Sequence, residues 1–70
     1  MIHIEVQQGA ITEKYSCKGN EEEYKRQVQI VKGINMNNGD SFLDIDNGNF
    51  VTVIPSKVIK ESTVTVSFEG

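Results

Sequence analysis

The chain contains one cysteine, one proline, one leucine and no tryptophan. The lone Cys17 excludes an internal disulfide and fits a reducing compartment. No run of about eighteen apolar residues is long enough to cross a bilayer. No basic segment followed by an apolar stretch marks a secretory leader. These absences lead us to expect a cytoplasmic protein without membrane contact. With a single histidine, His3, beside that single cysteine, the Cys and His spacing of a structural zinc site is absent. Gly19, Gly33, Gly39 and Gly48 are scattered and form no phosphate-cradling loop, so no cofactor is implied.

What the chain does have is β-branched: eight isoleucines and eight valines against one leucine and one alanine. Such side chains favour pleated sheet over helix. Seventy residues make one small domain (1–70), near the size at which a core alone can hold a chain folded. The net charge of −3 argues against broad binding to a phosphate backbone. Asn-, Ile- and Lys-rich usage matches AT-rich codons and, with the small size, suggests a protein encoded by a phage or other mobile element.

The clearest structural signal runs from Ser41 to Phe68. Asp46-Asn47-Gly48-Asn49 separates two apolar runs, and Asn-Gly readily adopts the positive φ angles of a two-residue hairpin loop. A loop of Asn47 and Gly48 sets Ile45 opposite Phe50 and Leu43 opposite Thr52, with Leu43, Ile45 and Phe50 on one face. The other face carries Phe42, Val51 and Val53 beside Asp44, so the hairpin is apolar on much of both sides and needs two covers. Pro55 ends the ladder because it lacks a backbone donor. A turn over Ser56-Lys57-Val58-Ile59 redirects the chain into Thr63 to Phe68, which alternates with Val64, Val66 and Phe68 inward.

Toward the N-terminus, Ile2, Ile4 and Val6 alternate with His3, Glu5 and Gln7, giving a half-buried strand. A loop at Gln8-Gly9 places Val6 opposite Ile11, Ile4 opposite Glu13 and Ile2 opposite Tyr15, with Glu13 the misfit. Between Asn20 and Gly33, Asn20 can cap a helix whose first turn carries Glu21, Glu22 and Glu23. Lys32 and Gly33 suit its end. Tyr24, Gln27, Val28 and Val31 form the helical stripe. The competing strand reading rests on the alternation of Gln27-Val28-Gln29-Ile30, and the boundary signals favour helix. Ile34 to Asp40 reads as loop.

The expected fold is α+β: an N-terminal β-hairpin, one helix over about 21–32, then a three-stranded antiparallel meander over about 41–46, 50–54 and 62–68, with the helix covering one sheet face. Over Ser41 to Phe68, the strand, turn, strand, Pro-terminated turn and final strand resemble the way small SH3-like and Sm-like barrels end, a pattern that unrelated β proteins share. The alternative is therefore an all-β small barrel in which 24–34 is a strand.

No catalytic set emerges. His3 and Cys17 fall on opposite faces of the first hairpin, and the neighbouring side chains of Ser56 and Lys57 diverge with no orienting third group. Counting a calcium loop from Asp44 places Gly48 at the fifth position and Pro55 at the twelfth, where a glycine at the sixth and a glutamate at the twelfth are required. What remains is an acidic set, Glu21, Glu22, Glu23, Asp44 and Asp46, and an apolar set, Phe42, Val51 and Val53. Both are candidate contacts for another protein or a second copy. We thus expect a non-enzymatic interaction module, a small regulator or inhibitor. A single-strand nucleic-acid-binding barrel using Lys57, Lys60, Tyr15 and Tyr24, beside Lys25, Arg26 and Lys32, and a homo-oligomeric building block are the alternatives.

Overall fold

The computed structural model describes residues 1–37 and 42–70. Its elements run β1 (Ile2–Gln8), β2 (Ile11–Cys17), α1 (Glu21–Asn35), β3 (Phe42–Asp46), β4 (Val51–Pro55), α2 (Ser56–Glu61) and β5 (Thr63–Phe68). This is an α+β domain with two antiparallel sheets, one ordered β2-β1-β5 and the other β3-β4. The expected residue 41 at the start of the meander, Asp40 and the end of the loop before it lie outside the described residues.

The last strand departs from the expected meander. β5 pairs with β1 along its whole length, from Ile2 opposite Phe68 to Gln7 opposite Thr63, and not with β4. The physical reason lies at Pro55: the chain leaves β4 straight into the six-residue helix α2, whose Ile59 is fully buried. That helix carries the chain away from β4 and lays it beside the first strand.

Both hairpins turn one residue later than the sequence reading placed them. In the first, Gln8 faces Ile11, so Gly9 and Ala10 are the loop and Val6, Ile4 and Ile2 face Glu13, Tyr15 and Cys17. In the second, Asp46 faces Val51 and Leu43 faces Ile54. Beyond that ladder, the Asn47 N–H donates to the Phe50 carbonyl at 3.2 Å, leaving Gly48 and Asn49 at the tip. Each glycine takes the first loop position with a positive φ, 60° at Gly9 and 98° at Gly48, where a residue without Cβ is unstrained. Asn47 acts instead as a brace, its Oδ1 accepting from the N–H groups of Asn49 and Phe50, both at 3.2 Å. Moving a two-residue loop by one position moves the cross-strand partners by two, so every side chain keeps its face.

α1 forms as its boundaries suggest at the start and outruns them at the end. Asn20 Oδ1 accepts from the Glu23 N–H at 3.0 Å, and three glutamates occupy the positive end of the helix dipole. Gly33 does not stop the helix, which continues to Asn35; Gly33 is buried within it, and Ile34 enters the core with no exposure. The core joins Ile2, Ile4 and Val6 of β1 with Val31 and Ile34 of α1, Leu43, Ile45 and Ile54 of the second hairpin, and Ile59 of α2. At one end of it, Tyr24 stacks on Phe68 with ring centroids 5.6 Å apart, a geometry that adds to simple burial.

Candidate protein-contact face

The second hairpin spends one face on the core and leaves the other to solvent. Leu43, Ile45 and Ile54 are buried, whereas Phe42, Val51 and Val53 on the opposite face are 50%, 56% and 55% exposed. Phe50, expected beside Ile45 on the buried face, falls at the turn and is 61% exposed. Alternation keeps it on the side of Thr52 and Ile54, so it lies outside the patch formed by Phe42, Val51 and Val53. Pro55, opposite Phe42, is also exposed. Among the described residues, no strand pairs with β4 on the side away from β3.

Of the acidic set, Glu23, Asp44 and Asp46 come together. They line a cleft of about 300 Å³ between β2, α1 and β3, together with Arg26. Arg26 bridges Glu23 at 3.1 Å and approaches Asp44 to 4.0 Å. Glu21 pairs instead with Lys25 at 3.6 Å on the exposed side of the helix. Glu21 and Glu22 lie at the exposed helix start and do not line the cleft. Asp46 also accepts the Gly48 N–H at 2.9 Å, fixing the turn. Asp44 and Asp46 alternate with Phe42 along β3, so two carboxylates border the apolar face.

Cys17 lines the same cleft and is buried. Desolvation pushes its thiol above the ordinary range, and Glu23 and Asp46 reinforce that shift while the N-terminal ammonium and Arg26 oppose it. A thiol held protonated in this way is a poor nucleophile.

The outer face of the first sheet carries an arrangement that sequence reading missed. His3 Nδ1 lies 2.9 Å from Ser16 Oγ, and Nε2 lies 3.0 Å from a Glu69 carboxylate oxygen. Only the antiparallel registers of β2 and β5 on either side of β1 bring these three residues together. The set has the hydroxyl, imidazole and carboxylate of a nucleophile relay. It stands on an open sheet face, with the His3 and Glu69 side chains 41% and 77% exposed, where water competes for each partner. We read it as a surface cross-link between three strands.

The residues of the nucleic-acid alternative are dispersed. Tyr24 is stacked on Phe68, Tyr15 donates its hydroxyl to Glu13, and Lys60 donates to Asn37. No helix among the described residues is long and apolar enough to cross a membrane. Comparison with protein-family models, with curated proteins and with solved structures gave no match, so the functional reading rests on the geometry of the hairpin face.

Proposed function

We propose that the chain is a non-enzymatic protein-interaction module, a small regulator or inhibitor of the kind phages and other mobile elements encode, acting through the outer face of β3 and β4. The observation that carries this reading is the contiguous placement of Phe42, Val51 and Val53, each at least half exposed, on one side of a hairpin whose other side is buried. Apolar groups gathered on one exposed face mark contact surfaces more often than scattered ones do.

Magnitudes narrow the partner. Covering the exposed halves of Phe42, Val51 and Val53 supplies roughly 2–5 kcal/mol. Association costs about 4–15 kcal/mol in lost freedom of motion. Apolar burial alone therefore gives weak binding, and the remainder has to come from polar complementarity. The polar groups on this face are Asp44 and Asp46, which call for Lys or Arg on the partner. A second copy would present its own Asp44 and Asp46 to the same carboxylates. The partner this face fits is a different protein that combines apolar and basic side chains.

Selection of a random displayed peptide library on the immobilised chain tests the reading, with a Phe42→Ser/Val53→Thr double variant as the control. Circular dichroism first establishes that the variant is folded. The expected clones are rich in apolar and basic residues and are lost on the variant. Recovery of no clones, or equal recovery on both proteins, overturns the proposal.

A further inference from the structure

The open side of β4 adds a second kind of contact to the exposed face. In an antiparallel pair, hydrogen-bonded and non-hydrogen-bonded residue pairs alternate. The Asn47 N–H to Phe50 carbonyl bond makes 47 and 50 a bonded pair. The next bonded pairs in the same register are Ile45 with Thr52 and Leu43 with Ile54. The backbone N–H and C=O groups of Val51 and Val53 consequently point away from β3. Their side chains are also the exposed ones, so the same two residues offer both apolar surface and unpaired ladder groups. Pro55, without an N–H, closes this edge at its far end.

Building on the interaction reading, we propose that the partner docks as an extended segment added to the β4 edge, with Lys or Arg at alternate positions on the outer face. Strand addition of this kind uses main-chain bonds for affinity and alternate side chains for specificity. The added strand lies about 4.8 Å from β4 and about 10 Å from β3. A lysine opposite Val51 lays its methylene stem across the valine and carries its ammonium to Asp46, the partner of Val51 on β3. A basic residue two positions along does the same over Val53 toward Asp44. Shorter side chains would not reach the carboxylates, and acidic ones would be repelled by them.

The probe is an acetylated, amidated heptapeptide alternating lysine with valine, titrated into the full chain and followed by amide resonances and hydrogen exchange. It is compared with the same peptide N-methylated along one backbone edge, the same peptide with the other edge N-methylated, and a version with glutamate for lysine. The expected result is saturable binding that shifts and protects the Val51 and Val53 amides, with the glutamate peptide inert. N-methylation of one edge should weaken binding about tenfold or more, since it removes backbone donors from the added ladder. Asp46→Asn keeps the acceptor for the Gly48 N–H, and it should weaken the lysine peptide and flatten its salt dependence.

Absence of saturable binding by the lysine peptide up to about 1 mM overturns strand addition. So does indifference to N-methylation of both edges, equal binding of the glutamate peptide, or a chain that pairs its own β4 edges at the concentrations used. The wider interaction reading fails separately, when no displayed peptide depends on Phe42 and Val53. Peptides that depend on those residues without protecting the Val51 and Val53 amides sink strand addition alone.

Discussion

Gln27, from the middle of α1, donates its Nε2 to the Asp44 backbone carbonyl of β3 at 3.0 Å, and so ties the helix to the hairpin at a point that is 3% exposed. Its own Oε1 is buried with no hydrogen-bond partner among the described residues. A buried acceptor left without a donor costs about 1–3 kcal/mol.

This arrangement makes Gln27 a position where polarity and charge separate cleanly. Gln27→Leu removes the orphaned oxygen together with the bond to Asp44, and its stability should stay within about 1 kcal/mol of the parent. Gln27→Glu places a carboxylate in the same buried site near Glu23 and Asp44, and should cost about 2–4 kcal/mol at neutral pH. Burial raises the pKa of such a carboxyl, so the penalty shrinks as pH falls toward the ordinary glutamate value and the group protonates. Urea unfolding of both variants at neutral and mildly acidic pH measures this. A glutamate variant as stable as the parent at neutral pH would contradict it.

The two faces of the second hairpin should respond differently to the same kind of truncation. Leu43→Ala, at a fully buried position, should cost about 2–5 kcal/mol. Val53→Ala, on the exposed face, should cost less than about 1 kcal/mol. A domain of this size has a total stability of roughly 4–10 kcal/mol, so the first change removes a large part of it. Chemical denaturation followed by circular dichroism gives both values, and comparable losses would mean that the outer face is covered in solution.

Gly19 is held to glycine by space. A Cβ added there would meet Ile2 Cδ1 at 2.6 Å and Glu23 Cβ at 3.1 Å. Gly19→Ala should therefore cost about 1–3 kcal/mol through overpacking. Ile2→Val deletes the clashing Cδ1 atom and alone should cost about 0.5–1.5 kcal/mol. The double variant should lose less than the sum of the two. A double-mutant cycle reads that coupling directly, and strict additivity would place the strain elsewhere.

Tyr15 gives the alkaline end of the stability profile a specific signature. Its hydrogen bond to Glu13, then burial, then repulsion from the Glu13 carboxylate hold the phenol above its ordinary value of 10.0. The neutral form is therefore favoured by folding, and its contribution is complete below that ordinary value and is lost as pH rises through the elevated folded value. Tyr15→Phe cannot ionise there. The parent should lose stability above about pH 10 more steeply than the variant. Parallel slopes in a pH series of urea midpoints would remove Glu13 as the cause.

Much of this architecture is legible in the sequence because it depends on local chemistry. Asn20 caps α1 for the reason its side chain suggests, and alternation correctly names the buried residues of β1 and the half-buried, inward residues of β5. The turns were misplaced because Gly9 and Gly48 each occupy the first loop position, whereas the Asn-Gly rule assigns glycine the second. The face assignments survived, since a displacement of two partners preserves the pleat. Gly33 misled because a buried glycine packed inside a helix and a terminating one look alike in sequence. The pairing of β5 with β1 is a long-range choice that no periodicity encodes, and the meeting of His3 with Ser16 and Glu69 follows from that choice. Glu23, Asp44 and Asp46 were identifiable as acidic residues; their convergence on one cleft required the packing of α1 on β3.

The pairing of β1 with β5 also bears on how the chain acquires its structure during synthesis. β1 is the central strand of its sheet, yet one of its neighbours, β5, comes after all the other described elements in chain order. The bonds at the end of this pairing, from the Met1 ammonium to the Glu69 carbonyl at 2.6 Å and from the Glu69 N–H to the Met1 carbonyl at 2.8 Å, join residues separated by almost the whole chain. Until those residues appear, the first hairpin carries an unpaired edge lined by Ile2, Ile4 and Val6, and closure must await a long loop. Nascent chains stalled before Thr63 are thus the species most exposed to unwanted strand pairing.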